Sequence, residues 1–307
     1  MPSLQAKLLN QGTRFTLQQF LGENANVNTL RKIVPPSPGL ILPSDVTIER
    51  TTAPAGEWLS PKKEGPAADK TILYLHGGGY VFCTPKTHRA LTTRLAKQTG
   101  AKVFSVDYRL APEHPYPAAL EDALAAWDYL MGKGIDPKSV YVGGDSAGGG
   151  LTLALIIALK ERGSAVPGGA FLYSPWADLS HGSESVVENE PTERMLTPAG
   201  ARKAADMYRG SVDATDPKIS PVFADFAGFP PLLVFVSTTE MLRDDGRRVA
   251  SRAKEAGVPV ELVSKEGLVH AWPLLAPLYP EANTTIGHTA RWIVLTSEAS
   301  RGTATAA

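Results

Sequence analysis

One cysteine, Cys83, stands in a chain of 307 residues, which excludes an intramolecular disulfide and a thiolate metal cluster. Nothing in the composition calls for an oxidising compartment. Long apolar runs are missing as well. The opening stretch, MPSLQAKLLNQGTRFTLQQFLGENANV, breaks every apolar group with Gln, Asn, Lys or Arg, so it offers neither a secretory core nor a membrane span. A cytoplasmic protein without stable membrane insertion is expected. Net charge is also lacking: 31 Lys and Arg balance 31 Asp and Glu, with no run of one sign to attract nucleic acid. No nucleic-acid partner is expected, and a small neutral substrate is the default. Internal repeats are absent.

What is present is a balance of 43% hydrophobic and 20% charged residues, the usual mixture of a globular protein. Short apolar, β-branched runs recur at Thr71–Leu75, Lys102–Asp107, Val140–Gly143, Ala170–Tyr173, Leu232–Ser237 and Val260–Ser264, and they read as buried strands. Stretches with apolar residues three or four apart lie between most of them, at His88–Thr99, Ala118–Met131, Gly148–Arg162 and Asp244–Ala256, and Thr284–Val294 reads as a closing helix. Strand and helix alternate, which predicts an α/β fold with a mostly parallel central sheet flanked by helices. Val46–Arg50 reads as an antiparallel edge strand. Two regions break the alternation and are expected to form a helical cap: residues 1–45, with a Pro-rich exit, and residues 181–222, where Thr197-Pro198 would start a helix well. The core would then comprise 46–180 and 223–296, and 297–307 reads as a disordered tail.

The strongest chemical signal is Gly144-Asp145-Ser146-Ala147-Gly148, between an apolar strand and an apolar helical run. A nucleophilic serine must project from a strained strand-to-helix turn, and glycines two places either side remove side chains that would clash there. Ser146 is the candidate nucleophile. The second signal is His76-Gly77-Gly78-Gly79, directly after the strand Thr71–Leu75. Acyl transfer needs backbone N–H groups aimed at an oxyanion, and Gly77, Gly78 and Ala147 are the expected donors. No Lys-Ser or Lys-Thr follows the glycines, so a phosphate loop does not fit. The base must follow the last strand in the chain order of such triads, which leaves His270, in the loop Glu266-Gly-Leu-Val-His, and His288, inside the closing helix.

Four segments together, His76-Gly-Gly-Gly-Tyr, Asp107-Tyr-Arg-Leu-Ala-Pro-Glu-His-Pro, Gly144-Asp-Ser-Ala-Gly-Gly-Gly and Ser174-Pro-Trp-Ala-Asp-Leu, resemble the bacterial hormone-sensitive lipase family of esterases and lipases. The resemblance spans roughly residues 70–275. It implies a capped α/β-hydrolase fold, a Ser-His-acid triad and ester hydrolysis with no metal or cofactor. In this family a Gly-x-x-His segment supplies the base, which points to His270. The acid usually is an Asp followed by Pro-Leu and then Arg-Asp. Here the chain reads Glu240-Met241-Leu242-Arg243-Asp244-Asp245, so Glu240 replaces the aspartate and the proline is gone. Either carboxylate type can orient an imidazole. Glu240 is the expected acid and Asp244 the alternative, with Asp244 and Asp245 otherwise serving as a charged first turn of helix.

Tyr80, Phe82 and Trp176 are expected to form pocket walls, Asp145 to brace the turn beside Ser146, and Arg109 and Glu113 to pin their loop. Cys83 reads as an inert thiol. A serine carboxylesterase acting on small to medium acyl esters is the expected function. An amidase or lactonase would use the same triad, and a non-catalytic binding module would keep the scaffold alone. An exposed last parallel strand would also favour a two-fold homodimer.

Overall fold

The computed structural model describes residues 2–7, 26–37 and 42–304. Its centre is an eight-stranded sheet in the order β1-β2-β4-β3-β5-β6-β7-β8. The strands are β1 (Val46–Thr52), β2 (Ala55–Pro61), β3 (Thr71–Leu75), β4 (Lys102–Val106), β5 (Val140–Asp145), β6 (Gly169–Tyr173), β7 (Leu232–Ser237) and β8 (Val260–Lys265). β1 and β2 form an antiparallel hairpin, β2 runs antiparallel to β4, and the remaining neighbours are parallel.

Burial matches the sequence reading in the middle of the sheet, whereas β8, read as a buried strand, has no buried residue because it forms the sheet's edge. Every residue of β3, β5, β6 and β7 is buried, as continuous apolar runs require when helices cover both faces. Strand β2, absent from the sequence reading, carries Gly56, Glu57 and Pro61 instead. Glu57 is nevertheless buried, because Arg89 caps its carboxylate with two hydrogen bonds. A paired charge inside the strand hides the apolar alternation.

The helices are α1 (Val27–Ile33), α2 (Pro85–Thr99), α3 (Ala118–Gly132), α4 (Ala147–Glu161), α5 (Ser185–Glu188), α6 (Pro198–Arg209), α7 (Arg243–Glu255) and α8 (Pro280–Ala304). Alternate residues of each strand serve opposite layers. Ile72 and Tyr74 pack with Leu91 and Leu95 of α2 and Ile286 and Ile293 of α8. Leu73 and Leu75 pack with Trp127 of α3 and Leu151 and Leu155 of α4. α7 covers β6 and β7 through Val249 and Ala253. Helix α4 is buried from Ala147 through Leu159 on all sides, which suits a helix that is apolar all round.

The closing helix runs to Ala304, which corrects the expectation of disorder from residue 297. Thr296 hydrogen bonds through its hydroxyl to Tyr141 at 3.0 Å, and the Ser297 hydroxyl donates to Val294 O at 2.8 Å. Side chain to backbone and side chain to sheet contacts thus carry the helix past its last apolar turn. Residues 305–307 lie outside the described residues, as do 8–25 and 38–41 of the first expected cap segment. Among the described residues no helix is long and apolar enough to cross a membrane.

Candidate active site

Ser146 sits between β5 and α4 with φ 52° and ψ −122°, a conformation that costs a non-glycine residue about 1–3 kcal/mol. The neighbouring strand holds it there: the Ser146 amide donates to Tyr173 O at 2.9 Å, and Trp176 N donates to Ser146 O at 2.9 Å. The flanking glycines are a steric necessity. A Cβ on Gly148 would lie 2.0 Å from Leu75 O, and one on Gly144 would lie 2.4 Å from the Gly148 carbonyl carbon.

His270 stands in the loop after β8, and that loop is pinned from two sides. The hydroxyls of Ser237 and Thr239 donate to Leu268 O at 2.6 and 3.1 Å, and the Ala271 amide donates to Ser174 Oγ at 3.0 Å. Ser174 thus gives the Ser-Pro-Trp segment a concrete task. His270 Nδ1 lies 2.8 Å from Glu240 Oε2, and Glu240 Oε1 accepts from the Ser237 amide at 2.7 Å. Both residues are buried. The other ring nitrogen, Nε2, is buried with no hydrogen-bond partner among the described residues. Burial alone would lower the His270 pKa, yet the hydrogen bond that the ring donates to Glu240 and the charges of Glu240, Glu193 and Asp145 outweigh it and raise it above the usual value.

The other carboxylates after β7 are engaged elsewhere. Asp244 is paired with Arg243 and accepts from the Ser185 amide. Asp245 is fully buried and accepts from the amides of Ala177 and Asp178, both at 2.9 Å, and from the Ser183 hydroxyl. His288 pairs with Glu261 at 2.6 Å, away from Ser146. Of the residues weighed as acid and base, only Glu240 and His270 meet.

Ser146 and His270 line one cavity of about 430 Å³. Its walls come from both segments expected to form the cap: Val27, Leu30 and Val34 around α1, and Met195, Leu196, Ala204 and Met207 around α6. Phe82 and Trp176 line it, but Tyr80 does not. The Tyr80 ring is buried in a parallel stack on Tyr208, with centroids 3.7 Å apart, so the cap helix takes up its face. Cys83 also lines the cavity, with its thiol pushed up to about 12 by burial.

Gly77 departs from its expected place. Its amide donates inward to Asp145 Oδ1 at 3.1 Å and to His88 Nε2 at 3.3 Å, and Gly77 is not among the cavity's lining residues, whereas Gly78 and Gly79 are. A buried carboxylate needs donors, and Asp145 takes this one. Gly78 adopts φ +110°, a value that only glycine reaches without strain. Ala147 opens α4, so its amide is one of the first-turn N–H groups without an intrahelical acceptor. The sequence reading missed the walls Met195, Leu196, Leu242 and Leu274. The isolated Met195-Leu196 pair in an otherwise polar stretch was the available signal.

The α/β hydrolase fold family matches residues 72–274. The acetyl-hydrolase of Streptomyces hygroscopicus is 39% identical over 245 residues, 80% of each chain. The crystal structure of EstE5 soaked with p-nitrophenyl butyrate superimposes with a TM-score of 0.91 at 33% identity, covering 96% of this chain and 99% of that one. An esterase from the bacterial hormone-sensitive lipase family matches with a TM-score of 0.88 at 32% identity, over 97% and 99% of the two chains. The chain belongs to the α/β-hydrolase fold family, within its bacterial hormone-sensitive lipase group of carboxylic-ester hydrolases.

Proposed function

We propose that the protein is a serine carboxylesterase in which Ser146, His270 and Glu240 act as nucleophile, base and orienting acid. The observation that carries this reading is the Glu240–His270 contact of 2.8 Å, which leaves Nε2 without a partner in the cavity that Ser146 lines. Glu240 fixes the proton on Nδ1, so Nε2 is free to accept one. Ser146 Oγ attacks the ester carbonyl carbon as its proton passes to Nε2. The tetrahedral oxyanion is held by the amides of Gly78, Gly79 and Ala147, since that of Gly77 is turned to Asp145. The imidazolium then returns the proton to the departing alcohol oxygen. Water, deprotonated by the same nitrogen, hydrolyses the acyl-enzyme and restores Ser146.

An apolar cavity of about 430 Å³ suits small to medium acyl groups. Turnover of p-nitrophenyl butyrate that vanishes in Ser146→Ala, with an organophosphonate attached to Ser146 alone, is the expected result. Turnover that survives Ser146→Ala would overturn the reading. We propose in addition a cytoplasmic location and a two-fold homodimer. Strand β8 ends the sheet with an outer edge that pairs with no strand among the described residues, and light scattering should give twice 32.7 kDa.

A further inference from the structure

The turn that carries Glu240 is stitched to one short stretch of the cap. Asn189 Nδ2 donates to Thr238 O at 3.0 Å and to Glu240 O at 2.8 Å. Thr192 Oγ1 donates to Thr239 O at 3.0 Å. Glu193 Oε2 accepts from the Met241 amide at 2.8 Å. Four consecutive residues of the turn, 238–241, are thereby bound by three side chains from 189–193.

Glu193 does more than close that seam. Its Oε1 accepts from the amides of Arg194, Met195 and Leu196 at 2.8, 2.8 and 3.3 Å, and the residue is only 1% exposed. Met195 and Leu196 are walls of the cavity. One buried carboxylate therefore fastens the cavity wall and the Glu240 turn to each other. A carboxylate is costly to bury unless donors surround it, and charge-assisted bonds of this kind are short and strong. The Met241 amide is available as a donor only because residue 241 is not proline, the residue that usually follows the acid in the resembling family. Proline has no N–H to offer.

We infer that Glu193 is a positioning residue for ester hydrolysis: it holds the turn that presents Glu240 to His270 and locks that turn to the wall of the acyl cavity. The inference rests on the triad reading proposed above. Three carboxylates bear on the His270 ring: Glu240 against Nδ1, Glu193 from the cap and Asp145 from the end of β5. Burial opposes them, and all three favour the imidazolium.

Glu193→Gln keeps the side chain's shape but removes its charge and turns an NH₂ group toward backbone donors. With an acetyl ester, kcat should fall roughly 10- to 100-fold, the scale expected when a distant change displaces a reacting group, while KM changes little. The acid limb of the pH profile should move to lower pH, because the imidazolium loses a neighbouring negative charge. The His270 ring, followed by NMR without substrate, should titrate at lower pH in the same variant. Thr192→Val removes one hydroxyl from an exposed residue and leaves the charge in place; it should lower kcat less, with the acid limb unmoved. It decides the matter if thermal melting shows that Glu193→Gln does not fold. The inference is overturned by a Glu193→Gln loss confined to KM, by an unchanged kcat and ring titration in Glu193→Gln, or by an unchanged kcat in Thr192→Val. A wild-type protein that hydrolyses no ester would instead sink the triad reading, and the ring titration would still report on Glu193.

Discussion

The Gly77 amide donates to Asp145 Oδ1 at 3.1 Å, and the Tyr74 hydroxyl donates to the same oxygen at 2.7 Å. The residue just before Ser146 is thus tied to the first glycine of a loop 68 positions earlier in the chain, and the two halves of the proposed oxyanion site cannot drift apart. Asp145→Ala would leave buried donors unpaired, each costing about 1–3 kcal/mol. A loss of roughly 2–4 kcal/mol in denaturant unfolding is expected. The accompanying fall in kcat should be about 10²-fold, comparable to removing one oxyanion donor.

Glu240→Gln should lower kcat by about 10⁴-fold, the scale seen when an orienting carboxylate becomes an amide in the serine-protease template. Asp244→Asn should keep most of the activity, because Asp244 is occupied with Arg243 and the Ser185 amide. Steady-state kinetics of the two variants separate the assignments. The reverse ranking would move the acid to Asp244.

Activity should rise with pH along a limb set by His270. The raised pKa means that the ring keeps its proton beyond the ordinary histidine value of about 6.5, and only the neutral ring can act as base. The midpoint of kcat/KM should therefore lie above about 6.5. A midpoint below the ordinary value would contradict the Glu240 contact.

Asp245 makes a separate prediction for stability. Burial, and then the charge of Asp178, raises its pKa to about 7, against about 3.9 in an unfolded chain. Below about pH 4 the group is protonated in both states, and its contribution to stability is complete. Between there and about pH 7 the unfolded chain releases a proton that the folded chain keeps, so that contribution falls as pH rises and is lost above the folded pKa. Asp245→Asn can accept from the Ala177 and Asp178 amides and donate to Ser183. It should flatten this decline in thermal melts taken across that range. A variant equally pH-dependent, or weaker at pH 8, would contradict it.

Cys83 should react slowly with iodoacetamide at pH 8, since a thiol pushed up to about 12 holds little thiolate. Unfolding should speed the reaction by restoring an ordinary thiol. Fast labelling of the folded protein, read by mass spectrometry, would contradict the assignment.

How much of this was legible depended on whether the deciding force acts locally in sequence. The buried strands, the turn at Ser146 and the helix start at Thr197-Pro198 are local: apolar runs, paired glycines and a cap residue announce themselves. Thr197 does accept from the Gly200 amide. Glu240 came from the resemblance, through the Leu242-Arg243-Asp244 that follows it, and it lies 2.8 Å from His270 Nδ1. Gly77 and Tyr80 failed for the opposite reason. Whether an amide faces a cavity or a buried aspartate, and whether a ring faces substrate or a tyrosine of the cap, is fixed by partners far along the chain. Strand β2 was hidden likewise, because the arginine that neutralises Glu57 comes from α2.

Arg31 ties helix α1 to the loops on either side of the cavity. Arg31 donates to Val81 O and Ala111 O, each at 2.8 Å, and forms a fork on Glu113, while Val27 and Leu30 face the cavity. Cutting Arg31's ties touches neither the sheet, the Ser146 turn nor the Glu240–His270 pair, and acts only on the wall that Val27 and Leu30 give the cavity. The side chain that fixes this wall is thus distinct from the groups proposed to carry the chemistry.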